Sequence, residues 1–196
     1  MRLHLAVRAS ALVLAAIPAS ASELLANGGF ETGDFTGWNV NAGATFVGAS
    51  GFAGYNANSG SYFAALGNVG GIGTLSQTFS DTAGQSYQLS YFLASNGSTP
   101  NEFQTYIDGT QVFDQSNISA TGTGTPFPYV QYTFSFTGTG RDTITFGERD
   151  DPSYLALDDV SVSEANAPVP EPSSLMLLGS GILGLAGAAR RRFART

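Results

Sequence analysis

Two pairs of adjacent carboxylates, Asp150-Asp151 and Asp158-Asp159, and a lone acid in the glycine-rich corner Asn27-Gly28-Gly29-Phe30-Glu31 are the residues of this chain best equipped for chemistry. Paired acids can act as acid and base in glycosidic cleavage. They can also offer the hard oxygens that calcium requires. Adjacent residues in a strand point to opposite faces, so neither pair makes a good catalytic couple. The only histidine is His4, and there is no cysteine. Residues 22–168 therefore hold no Ser-His-Asp or Cys-His machinery, no His or Cys zinc site and no haem ligand. A non-enzyme is expected, and the acids read as cation ligands or solvated turns.

Charge narrows the partners. Residues 22–168 carry fourteen acids against two bases, Arg141 and Arg149, a net charge of −12, where the whole chain stands at −7. A surface this acidic repels phosphate backbones, so nucleic acid is excluded. The remaining arginines sit at the ends. Arg2 and Arg8 bracket the start of an apolar run, Ala9 to Ile17, that leads to Ala19-Ser20-Ala21, which reads as a secretory signal peptide over 1–21. At the other end, residues 166–172 form a Pro-rich spacer containing Pro170-Glu171-Pro172. Seventeen uncharged residues, 173–189, follow, about 25 Å long as a helix, at the short end of a membrane span. Arg190, Arg191, Arg192 and Arg195 close the chain and are expected to stay cytoplasmic over 190–196.

The elements that must position any site lie in residues 22–165, and they alternate with period two. In Tyr129 to Thr137, Val130, Tyr132, Phe134 and Phe136 share one face; in Ser86 to Ser95, Tyr87, Leu89, Tyr91 and Leu93 do so. Thr143 to Gly147 reads as a shorter strand. Asp108-Gly109, between two alternating runs, predicts a two-residue type I′ hairpin. No helical stripe longer than a turn or two precedes Pro168. The expectation is an all-β passenger of eight to ten short strands, a sandwich or jelly roll. Its long loops cover Gly48 to Gly60, Asn96 to Asn101 and Ser116 to Pro128. Thr121-Gly122-Thr123-Gly124-Thr125 occurs once, and reads as loop rather than an ice-matching array.

Leu25 to Trp38, LANGGFETGDFTGW, and Ser153 to Val162, SYLALDDVSV, resemble the first and last strands of the galactose-binding-like jelly roll of several carbohydrate-binding modules. The resemblance implies a structural calcium ion held by Glu31 and Asp158, with carbonyl oxygens from Gly29 or Gly33. Asp158, in step with Val160 and Val162, is expected to point inward. It also implies polysaccharide as ligand. Tyr55, Tyr62, Phe127, Tyr129 and Tyr154, in or beside loops, are the candidates for stacking on sugar rings, helped by Gln88, Gln104 and Gln131. Trp38 is expected in the core.

The ordered set of Pro170-Glu171-Pro172, apolar segment and arginine cluster (Arg190, Arg191, Arg192) resembles the PEP-CTERM sorting signal, a tail also found on some proteins described as ice-binding. That resemblance implies an exported protein with a transient inner-membrane anchor. An exosortase-type sorting protease would recognise it and release the passenger to the cell surface or extracellular polysaccharide matrix. The expected role is binding or organising polysaccharide, with a purely structural or adhesive biofilm protein as the alternative.

Overall fold

The structure, a computed structural model, describes residues 22–165. The expected signal peptide, spacer, apolar segment and basic tail lie outside the described residues. Among the described residues no helix is long and apolar enough to cross a membrane.

Ten strands follow one another: β1 (Asn39–Asn41), β2 (Phe46–Ala49), β3 (Tyr62–Leu66), β4 (Gly73–Ser80), β5 (Ser86–Ser95), β6 (Asn101–Ile107), β7 (Thr110–Ser116), β8 (Val130–Thr137), β9 (Arg141–Asp150) and β10 (Leu155–Glu164). They form two five-stranded antiparallel sheets, ordered β1-β4-β9-β6-β7 and β2-β3-β10-β5-β8. The fold is the expected all-β jelly-roll sandwich. The hairpin between β6 and β7 is the one Asp108-Gly109 predicts, with φ of 49° and 74°, both left-handed as a type I′ turn requires.

Alternation builds the core. Leu75 and Phe79 of β4, Phe103 of β6 and Phe146 of β9 face Leu89, Tyr91 and Leu157 of the other sheet, all buried. The Tyr91 ring meets Phe146 edge-on at 5.2 Å and stacks on Tyr132 at 5.4 Å. Its hydroxyl shares a hydrogen bond with Thr105 Oγ1 at 2.8 Å, so the buried phenol is satisfied. Trp38 is in the core as expected: its ring lies 5.7 Å from Phe30 and its indole N–H donates to Asn27 O at 3.0 Å.

Two expectations change. The short strand at Thr143 to Gly147 runs instead from Arg141 to Asp150, because β9 is paired on both sides, by β4 and β6, and the ladder carries its polar ends. Asp158 does not share a face with Val160 and Val162. The register of β10 against β5 shifts between Asp158 and Ser161, and Asp159 is left-handed at φ 47°. This bulge resets the alternation. Leu155, Leu157, Val160 and Val162 face the main core, while Ala156 belongs to a second cluster on the opposite face. Asp158, two residues from Ala156, falls on that outer face, yet is buried.

At one end of the sandwich three carboxylates hold the β8–β9 turn. Asp81 Oδ1 accepts the Gly140 N–H at 2.6 Å, Asp142 accepts that of Thr139 at 3.2 Å, and Asp108 Oδ1 accepts that of Thr143 at 2.7 Å. Asp81 Oδ2 is buried without a hydrogen-bond partner among the described residues. Burial, and then the neighbouring Asp142, push the Asp81 pKa up. A carboxyl whose pKa is raised on folding contributes stability below its unfolded value, near 4, and loses it as pH rises. The contribution of Asp81 to stability is therefore expected to fall from pH 4 to pH 8. Asp81→Asn is expected to raise the urea midpoint at pH 8 and leave it nearly unchanged at pH 3.

Candidate functional site

Three places gather the candidate residues. The first is the corner where the chain's first described segment meets β10. Leu24 N donates to Val162 O and Val160 N to Gly28 O, both at 3.0 Å. A Cβ on Gly28 would stand 1.9 Å from Val160 O, so only glycine permits this approach. Phe30, left-handed at φ 57° and fully buried against Phe35 and Trp38, fixes the turn and turns Glu31 outward. Glu31 Oε1 accepts the N–H groups of Ser61 and Tyr62, each at 2.9 Å. Asp158 Oδ2 accepts that of Asn58 at 2.7 Å and of Ser59 at 3.3 Å. Asp159 accepts the Asn58 amide at 2.7 Å and the Ser59 hydroxyl at 2.6 Å. Glu31, Asp158 and Asp159 thus clasp one loop, residues 58–62. Burial, then the Asp159 charge, push Asp158 up to about 7, against the backbone N–H bonds that lower it.

Gly29 is the glycine beside these carboxylates: a Cβ there would lie 3.4 Å from Asp159 Oδ1 and 4.0 Å from Asp158 Oδ1. Gly33 faces the Tyr62 ring instead: a Cβ there would lie 3.6 Å from it, and that stacking candidate is half-buried. Among the described residues no group of three or more His, Cys, Asp or Glu side chains is placed to hold a metal ion. The donors at this corner are all oxygen, and the bare Cα of Gly29 keeps it uncrowded. That suits a hard cation whose shell is completed by carbonyls.

The second place is the outer face of β3, β10 and β5. Tyr55 was expected as an exposed stacking platform; it is fully buried. It packs on Phe63 and Phe127, ring centres 6.0 and 5.2 Å away, and its hydroxyl donates to Tyr154 O at 2.7 Å. Phe127, Tyr129 and Tyr154 are half-buried around the same small core, with Tyr129 donating to Asn56 O at 2.9 Å. Burial raises the Tyr55 and Tyr129 phenols well above their ordinary range. Four of the five aromatic candidates are therefore brought together, but as packing that seats loops on the sheet. The reason is apolar residues on both faces: Phe63 and Ala65 face outward from β3, and Ala156 from β10, so these loops must cover them.

The third place is the outer face of the other sheet, where no described segment packs. Phe103, Thr105 and Ile107 are buried, so Glu102, Gln104 and Tyr106 of β6 face solvent, half-exposed. Tyr106 donates its hydroxyl to Gln104 Oε1 at 2.8 Å, and Gln104 Nε2 donates to Glu102 Oε1. Opposite Gln104 stands Gly147, whose absent side chain leaves Gln104 and the exposed Ile72 adjacent to bare backbone. Opposite Glu102 is Arg149, tied to Asp151 at 2.8 Å. Further rows are short and hydroxylic, with Thr78 and Thr143 sharing a hydrogen bond at 2.7 Å. The chain of phenol, amide and carboxylate is a fixed line of donors and acceptors beside one aromatic ring. Gln88 and Gln131 lie apart from it, on β5 and β8 of the second sheet. The sequence signal for the line was the acid, amide and phenol at spacing two across β6.

Residues 168–192 match the PEP-CTERM protein-sorting motif. The PEP-CTERM match spans Pro170-Glu171-Pro172, the apolar segment and the first three arginines of the closing cluster. No curated protein matches the sequence. Solved structures do match the fold. The carbohydrate-binding module TmCBM61, solved with β-1,4-galactotriose, is 23% identical with a TM-score of 0.53, covering 74% of this chain and 99% of its own. The tandem CBM22-1-CBM22-2 of Paenibacillus barcinonensis Xyn10C is 18% identical, TM-score 0.53, covering 80% of this chain and 49% of its own. The enzymatically active domain of bacteriophage CBA120 tailspike protein 4 is 14% identical with a TM-score of 0.50, and only 21% of it is covered. These likenesses establish the sandwich; the ligand has to be argued from this chain's own faces.

Tyr55→Ala is expected to destabilise the protein by about 3–5 kcal/mol, as for a buried aromatic. A free surface platform would change stability by less than about 0.5 kcal/mol; urea unfolding followed by circular dichroism distinguishes the two.

Proposed function

We propose that this chain is an exported, non-catalytic protein that binds polysaccharide through the outer face of the β1-β4-β9-β6-β7 sheet. The observation that carries this reading is the Glu102, Gln104 and Tyr106 line on an uncovered face. An aromatic ring offers a surface to the apolar side of a pyranose, and a preset amide and carboxylate orient its hydroxyls. The groups are already hydrogen-bonded to one another, so binding freezes few rotamers. The carbohydrate-binding modules that share the fold support the reading, and so does the lack of any histidine or cysteine in residues 22–168.

The test is retention on matrix polysaccharides and a glycan array, with Tyr106→Ala and Gln104→Ala beside the wild type. The expected result is a loss of roughly tenfold or more for each variant, since each removes a contact worth at least about 1.4 kcal/mol. Equal retention of wild type and both variants would favour an adhesive matrix protein without sugar specificity. Hydrolysis of any glycan, lost in Asp150→Asn, would revive an enzymatic reading.

The sorting motif supports delivery by an exosortase-type protease, with the apolar segment as a transient inner-membrane anchor and the cell surface or extracellular matrix as destination. Mass spectrometry of the mature protein is expected to find a C-terminus near Pro172; an intact Thr196 refutes processing.

Glu31 and Asp158, with a carbonyl from Gly29 or Gly33, hold a structural calcium ion in this reading. Calcium at a hundredfold its Kd is expected to stabilise the fold by about 2.7 kcal/mol. That shift in Tm should vanish with chelator and shrink in Asp158→Asn; a Tm indifferent to calcium rejects the ion.

A further inference from the structure

The inward face of β9 ends in two buried acids, Glu148 and Asp150, both fully enclosed. They are not equivalent. Glu148 is satisfied: its oxygens accept the Thr45 hydroxyl and the Asn68 N–H, the latter at 3.0 Å. Both carboxylate oxygens of Asp150 lack a hydrogen-bond partner among the described residues. The Ser153 backbone N–H comes near enough to lower its pKa without making a hydrogen bond of ordinary geometry. Burial outweighs that help, and Asp151 and Glu148 add to it, pushing Asp150 up to about 7.

Among the described residues no cationic side chain compensates. Arg149 points to the other face, where it is held by Asp151 at 2.8 Å, and Arg141 begins β9, nine residues away. An unpaired carboxylate enclosed by protein costs several kcal/mol unless a proton or a cation accompanies it. Neighbouring residues carry further oxygen acceptors. Asn68 O accepts the Asp150 N–H at 3.1 Å, Tyr154 O accepts the Tyr55 hydroxyl, and Ser153 Oγ accepts the Asn96 amide at 2.6 Å. Each of these acceptors has a second lone pair. Gly67 brings bare backbone to this end, where the Tyr154 ring takes the place of its missing Cβ, 2.5 Å from that position, with Ser153 O at 3.0 Å. Three loops, 67–72, 96–100 and 151–154, enclose it.

We propose that the loop end around Asp150 is a second cation site, distinct from the corner at Asp158, and that it takes a calcium-class ion with oxygen ligands. Calcium suits this setting better than magnesium because it accepts carbonyls in flexible geometry and sheds its water more readily. The inference rests on Asp150 and its surroundings and is independent of the sugar-binding reading.

Calorimetric titration of the chelator-stripped full chain with calcium at pH 8 is expected to find two sites. Asp150→Asn should remove one and keep the other, and Asp158→Asn the converse. A single site, lost in Asp158→Asn and untouched by Asp150→Asn, overturns the proposal and means that Asp150 holds a proton. Should Asp150→Asn fail to fold, crystals of the wild type grown with terbium decide: an anomalous peak beside Asp150 is expected, and its absence overturns the site. Absence at both places also rejects calcium at the corner, leaving the glycan experiment to stand by itself.

Discussion

Carboxylates without cations shape this molecule more than any other interaction. The described residues carry fourteen acids and two arginines, so ion pairing cannot quiet the charge. Backbone N–H groups do it instead, most often at a turn or loop. Glu31 holds residues 61 and 62, Asp158 holds 58 and 59, Glu148 holds 68, Asp81 holds 140 and Asp151 holds 70. Each bond satisfies a donor that an irregular loop would otherwise leave unpaired and pins that loop to a strand of the sandwich. Acidity, which looks in the composition like a property of the surface, is here a set of fasteners. Asp150 stands out against this pattern, since no N–H makes a proper bond to it.

The two sheets differ in what their outer faces must do. On the β2-β3-β10-β5-β8 sheet, apolar residues on both sides of β3 and β10 recruit loops and aromatic rings into a second small core. On the other sheet, β4 and β6 alternate between a buried inner face and an outer face that remains open and polar. The covered face spends its aromatics on stability. The open face keeps one, Tyr106, beside a fixed line of polar groups.

Much of the fold was legible because period-two alternation and a two-residue Asp-Gly turn are local signals. The strands β5 and β8 and the β6–β7 hairpin follow from them, while the burial of Trp38 follows from the resemblance of Leu25 to Trp38 to a family's first strand. The site was less legible, for two physical reasons. A bulge at Asp159 inverts the face on which Asp158 lies, and one left-handed residue leaves no mark in a run reading LALDDVSV. Loop membership also does not imply exposure: Tyr55 is in a loop, but the loop lies on Phe63, Ala65 and Ala156. The apolar runs Phe63 to Leu66 and Leu155 to Leu157 carried that information, as strands covered on both sides. The alternation of Glu102, Gln104 and Tyr106 carried the position of the open face.

Beta strand β10 is central in its sheet, with β3 on one side and β5 on the other, and it is the last strand before the sorting tail. A pull on the tail therefore runs along a strand held in shear by the β5 ladder from Glu164 to Leu155, and by the three-residue β3 ladder at its far end. It does not peel an edge strand open one bond at a time. The first described segment, locked onto Val160 and Val162, adds a third restraint on the same strand. The chain is built to bear tension from its C-terminal end without unravelling.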